Sequence, residues 1–154
     1  MIPPSGPTLP ESLRPLLLRQ RDPEAFAEAL ERAWSQGRLV ALAGSGQEPQ
    51  LAAALALSRG DGRLSGNASG RPRDGAGVLV PGGGTSGGRC WCLQPLGHLL
   101  ASADATGSWL RQLGIDPAVS LHLNPLPFHH VSGLMPLVRA RRWKAAHLPL
   151  PAEV

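Results

Sequence analysis

The chain has 154 residues with 15 Lys and Arg against 11 Asp and Glu, a net charge of +4. That length gives one domain with a modest core. With four Trp, two Phe and no Tyr, the core must rest on Leu, Val and Ala. Nineteen Gly and sixteen Pro make the chain rich in loops, just under the level of low-complexity sequence. The basic balance fits an anionic partner, yet 14 of the 15 basic residues are Arg, which fits a compositional bias equally well. Cys90 and Cys92 are one residue apart, too close for a ready disulfide and too few for a zinc site. No stretch approaches the apolar length of a membrane span, and the N-terminus lacks the basic and apolar regions of a signal peptide. A cytoplasmic, reducing setting is the expectation. Asn67-Ala68-Ser69 matches a glycosylation acceptor, incidental in that setting.

Residues 1–21 are Pro-rich, with Leu16-Leu17-Leu18 read as one short docking turn. Asp22 then caps a helix, with Pro23 at its first position and Glu24 in its first turn. Phe26, Ala29, Leu30, Ala33 and Trp34 follow the spacing of one buried face, and Gly37 ends the helix. Leu39 to Ala43 reads as a buried strand, and Gln50 to Leu57 as a weakly patterned second helix. Residues 59–76 are dense in turn formers and read as a long loop or internal boundary. Its Arg59-Gly60-Asp61 triplet would mean adhesion only in an extracellular protein. The boundary divides the chain into 1–75, a helix and strand segment, and 76–154.

Gly77 to Val80 reads as a buried strand running straight into Pro81-Gly82-Gly83-Gly84-Thr85-Ser86-Gly87-Gly88. Glycines let backbone amides turn inward as an anion-binding nest, and Thr85 and Ser86 add hydroxyl donors. Gly82, Gly84 and Gly87 also fit G-x-G-x-x-G, a dinucleotide fingerprint that requires a helix opening at its third Gly. No Gly-Lys-Ser/Thr follows, so the loop is not a Walker loop. A glycine loop without a ligand is the plain alternative. A helix follows from about Pro95 to Leu113, with Leu99, Ala103, Thr106, Leu110 and Leu113 on one face. Val119 to Leu123 reads as a strand, residues 125–134 as a tight connection into a short helix ending in Arg139, Arg141 and Arg142, and Ala145 to Leu148 as the start of another strand. Strands alternating with helices predict an α/β layer fold.

Pro81 to Gly87 resembles the phosphate loop of the adenylate-forming (AMP-binding) acyl-CoA ligases, with Gly84, Thr85, Ser86 and Gly87 matching its Gly-Thr-(Thr/Ser)-Gly centre. Pro127-Phe128-His129-His130-Val131-Ser132-Gly133-Leu134 resembles the same family's Pro-Leu-aromatic-His-Val-Ser-Gly-Leu segment. The two blocks stand in the family's order, and the doubled Gly before Thr-Ser-Gly is similar to the o-succinylbenzoate–CoA ligases of menaquinone and phylloquinone synthesis. Arg89 and Cys90 replace the family's Pro-Lys, and Gly82 replaces a hydroxyl residue.

The resemblance implies the partial N-terminal domain of the ligase fold. It also implies ATP, Mg²⁺, CoA and a small carboxylic acid as the molecules handled by the complete enzyme. By it, Gly83, Gly84, Thr85, Ser86, Gly87, Gly88 and Arg89 hold phosphates, while His130, Ser132 and Gly133 line the acyl substrate. His129 takes the aromatic position as packing, and His98, His122 and His147 are structural. The family's Tyr-Gly-x-Thr-Glu segment and its lid Lys are expected beyond Val154, so the chain by itself is expected to be inactive. A small dinucleotide-binding module and a non-catalytic remnant are the alternatives. Arg139, Arg141, Arg142, Trp143 and Lys144 form a basic cluster, read as a solvated helix end before a nucleic-acid face.

Overall fold

The computed structural model describes residues 15–18, 22–44, 46, 47, 49, 51, 75–82 and 91–150. It is a mixed α/β structure of six strands and three α-helices among those residues. Strands β1 (Leu16–Leu18), β2 (Leu39–Leu42), β3 (Gly77–Pro81) and β4 (Trp91–Pro95) form one sheet in that order. β1, β2 and β3 run parallel, and β4 returns antiparallel to β3 with Pro81 opposite Trp91. A second sheet pairs β5 (Leu121–Asn124) with β6 (Ala146–Pro149) in parallel.

Helix α1 (Pro23–Ser35) begins as the sequence predicts, with Asp22 Oδ1 accepting the Ala25 N–H at 2.8 Å. That bond satisfies one of the free amides of the first turn. Phe26, Leu30 and Ala33 are buried, Ala29 and Trp34 pack beside them, and Gly37 lies at φ +67° just past the end. Helix α2 (Leu96–Gln112) and helix α3 (Val131–Trp143) also match their expected positions. On the buried face of α2 the structure places Leu99, Ala103 and Gly107, while Leu113 is exposed.

All three helices share one core on one face of the four-stranded sheet. Leu18, Val40, Leu42, Val78 and Val80 meet Phe26 and Leu30 of α1, Leu99 and Ala103 of α2, and Leu134, Leu137 and Val138 of α3. Ala41 and Leu79 point to the other face, with Leu51 against them. Such alternation within β2 and β3 is the two-residue period of a strand. The segments 1–75 and 76–154 therefore contribute to one sheet and one core.

Three expectations are corrected. Leu16–Leu18 is a strand, because a triplet of Leu beside a buried parallel strand completes the sheet instead of turning. β5 starts at Leu121, not Val119, because Asp116 caps a 3-10 turn over Pro117–Val119. Strict alternation of strands with helices fails where β4 follows β3 as an antiparallel partner. Of the second predicted helix, Leu51 is buried, and Gln50 and residues 52–57 lie outside the described residues, as does loop 59–74. No helix among the described residues is long and apolar enough to cross a membrane.

Candidate functional site

Parallel strands β2 and β3 end at the same edge of the sheet. Their register, Ala41 beside Leu79, carries Gly44 and Gly82 out at that edge together. In open α/β sheets the carboxyl ends of parallel strands are the usual place for ligands. The glycine loop starts there, at Pro81-Gly82, and its far root is Trp91. Gly83, Gly84, Thr85, Ser86, Gly87, Gly88, Arg89 and Cys90 lie outside the described residues. What the structure gives is the framing of the loop: it joins two antiparallel strands in register, and the next helix begins at Leu96. A dinucleotide fingerprint needs strand, loop and then helix, so this strand–loop–strand order departs from it.

The second block arrives at the same edge. Phe128 stacks on Phe26 of the first turn of α1, with ring centroids 4.6 Å apart. His129 lies against Gly44: a Cβ there would meet His129 Nε2 at 2.9 Å and Gln47 Oε1 at 3.2 Å. Gln47 Oε1 accepts the Gly44 N–H at 2.7 Å, fixing this turn. His130 sits beside His129, ring centroids 4.3 Å apart, and occupies the N-cap of α3 without a side-chain cap bond. His130 and Ser132 are exposed, at the amino end of a helix whose dipole favours anions.

Gly133 is buried and has a different role from its neighbours. A Cβ there would meet Leu126 O at 2.7 Å and would strike Pro127 O as well. The absence of a side chain lets the connection 125–130 cross directly over the first turn of α3. Gly133 therefore shapes the turn that presents His130 and Ser132.

Asn124, buried at 1% exposure, was not legible as a site residue and holds this turn in place. Its Nδ2 donates to Gly133 O at 2.7 Å, and its Oδ1 accepts from Leu126 N at 3.2 Å. The same Nδ2 lies 3.4 Å from His147 Nε2, which must accept there, since the amide nitrogen has only protons to offer. The one sequence signal was Asn-Pro, a turn initiator.

His122 and His147 face each other across β5 and β6. Burial lowers the pKa of His122, and the charge of Arg139 adds to that; burial first, then His122 and Arg141, lowers that of His147. His129 is lowered by burial and by His130. Each is more easily protonated in the unfolded chain, where the ordinary value is about 6.5. Stability is therefore present above that value and is lost as pH falls below it. The melting temperature is expected to drop between pH 7.5 and pH 5.5. A flat or rising profile over that range would contradict this account of the three histidines.

The basic cluster is largely spoken for. Arg142 holds Asp104 of α2 through Nε at 2.7 Å and a second nitrogen at 2.9 Å, keeping that carboxyl below its usual range. Arg141 Nε lies 3.0 Å from Glu31 of α1, and Trp143 is buried. The helix end thus meets α1 through Arg141 and α2 through Arg142, with the paired side chains about half exposed. Among the described residues no group of three His, Cys, Asp or Glu could hold a metal ion. No family model, curated protein or solved structure matches this chain.

Proposed function

We propose that this chain carries the phosphate-gripping part of an adenylate-forming acid–CoA ligase, with o-succinylbenzoate as the acid. The observation that supports the reading is that the root of the glycine loop and the second block stand close to each other. They are separated by about 40 residues of chain, yet the root of the glycine loop and the His129–His130 turn leave the same edge of the sheet. A ligand with a polyphosphate at one end and a reacting carboxylate at the other needs such a pairing.

In this proposal the amides of Gly83 to Gly88 and the hydroxyls of Thr85 and Ser86 hold the β- and γ-phosphates of ATP. The substrate carboxylate attacks the α-phosphorus, the bond to the bridging oxygen breaks, and pyrophosphate leaves with that electron pair. The CoA thiolate then attacks the acyl carbon and expels AMP. The loop's contribution is to set donors where charge grows on the leaving pyrophosphate. Arg89 supplies the cation that the family's Lys would bring. His130 and Ser132 border the acid at the amino end of α3, where a carboxylate is favoured.

The test is ligand-dependent melting of the chain. ATP and pyrophosphate are expected to raise the melting temperature while NAD does not, and Ser86→Ala is expected to weaken ATP binding roughly tenfold, the worth of one charge-assisted hydrogen bond. A shift with NAD alone would sink the proposal, as would an ATP shift unaffected by Ser86→Ala.

A further inference from the structure

Asn124 sits where the second sheet, α3 and the connection 125–130 meet, and its amide has one orientation only. Gly133 O can only accept and Leu126 N can only donate. Nδ2 must therefore face the first, at 2.7 Å, and Oδ1 the second, at 3.2 Å. That fixes the state of His147. Its Nε2 lies 3.4 Å from the same Nδ2, which has only protons to offer, so Nε2 must carry a lone pair. The ring is neutral, with its proton on Nδ1.

His147 meets the connection at a second point. Phe128, which stacks on Phe26 of α1, lies 6.0 Å from it between ring centroids. Around it the charged and titratable groups are basic. His122 is its register partner on β5, and Arg141 of α3 acts on it, while Arg139 of α3 acts on His122. Glu31 of α1 is paired with Arg141 at 3.0 Å. His129 and His130 belong to the connection and pack on each other, His129 lying against Gly44. A proton added at Nε2 would set N–H against N–H at Asn124.

We propose that His147 is a proton-operated latch on the connection 125–130: neutral, it accepts from Asn124 and holds the turn, and protonated on Nε2, it repels that amide and frees the turn that presents His130 and Ser132. Asn124 cannot answer by flipping, because a flip would set Oδ1 against Gly133 O and Nδ2 against Leu126 N. Its side chain withdraws instead, and Leu126 N–H loses its acceptor. Burial, His122 and Arg141 all disfavour the imidazolium, in that order. The latch is therefore shut at neutral pH and opens on acidification below the ordinary histidine value. It acts on the turn itself, whatever ligand the turn meets.

Nuclear magnetic resonance of the full chain from pH 7.5 to pH 5 is the test. The Asn124 side-chain amide and the Leu126 N–H should shift with the midpoint at which the His147 ring titrates. Exchange of the Leu126 N–H, corrected for its intrinsic rate, should quicken by about tenfold across that midpoint, as the loss of one hydrogen bond predicts. Trp34 Nε1–H, bonded to Gly77 O at 3.0 Å, should keep its position, which separates release of the turn from unfolding. His147→Gln supplies an acceptor that does not titrate and should keep Leu126 N–H protected down to pH 5. A His147 ring that does not titrate above pH 5 would overturn the proposal. So would Asn124 and Leu126 signals that stay fixed while His147 titrates, or that follow His129 or His130 instead. These outcomes are read on the wild-type chain and need no variant to fold. A response that survives His147→Gln would overturn it as well.

Discussion

Trp143→Ala is expected to destabilise the chain by about 3–5 kcal/mol, the range for truncating a large buried aromatic. Trp143 ends α3 at 7% exposure and ties three elements together. Its Nε1 donates to Ala103 O of α2 at 3.1 Å in a buried setting. Its ring lies on Gly107 so closely that a Cβ there would meet Nε1 at 2.9 Å. On its other side His122 of β5 packs at 5.2 Å between centroids. Truncation therefore opens a cavity at the junction of α2, α3 and the second sheet, and removes the bond that ties Trp143 Nε1 to Ala103 O. Domains of this size hold only about 5–15 kcal/mol in total, so the variant should sit near the edge of folding. Trp143→Phe retains most of the ring and loses the donor, and should cost less. Urea unfolding midpoints measure both; a loss under about 1 kcal/mol for Trp143→Ala would show that the junction does not carry this weight.

Asn124→Leu is also expected to destabilise the chain, although it exchanges a buried polar residue for an apolar one of similar size. Both partners of Asn124 are backbone groups that stay behind, Gly133 O and Leu126 N. Gly133 O keeps its helical bond from Leu137 N–H and loses only its second donor, while Leu126 N loses its acceptor, so the cost is about 1–3 kcal/mol in all. Asn124→Asp is the sharper variant. It keeps an acceptor for Leu126 N but sets a second oxygen against Gly133 O, so it should recover little of the loss. Equilibrium unfolding at pH 7.5 compares the three proteins. Full stability in Asn124→Asp would mean that the bond to Gly133 is not the one that matters. Because Asn124 orders the turn carrying His130 and Ser132, the same substitutions should also weaken any ligand held there.

These two residues show what the sequence could and could not reveal. The helices were legible because their signals are local: Asp22 before Pro23 for the start of α1, and apolar spacing for its buried face. The strand β3 was legible because a Val-Leu-Val run is bounded by Gly77 and Pro81. β1 and β4 were not, since their identity comes from neighbours distant in sequence. Leu16–Leu18 becomes a strand only beside β2, and Trp91–Pro95 only beside β3. Trp143 read as part of a basic surface because its three Arg neighbours dominate the local pattern. Its burial is set by α2, some 40 residues away. His122 and His147 lacked partners at useful spacing, and found each other through parallel register. The shared sheet edge at which Gly82 and His129 stand was not legible, since it depends on the β2–β3 register and on Gly44 receiving His129.

Central to the proposed function is that polyphosphate binds between the glycine loop and the His129–His130 turn. Imidazole nitrogen resonances of the full chain, followed during titration with ATP, address it directly. The resonances of His129 and His130 should move together and saturate with the same affinity, while that of His98, exposed on α2, stays fixed. Saturable ATP binding that leaves His129 and His130 unmoved would place the ligand elsewhere and contradict the account.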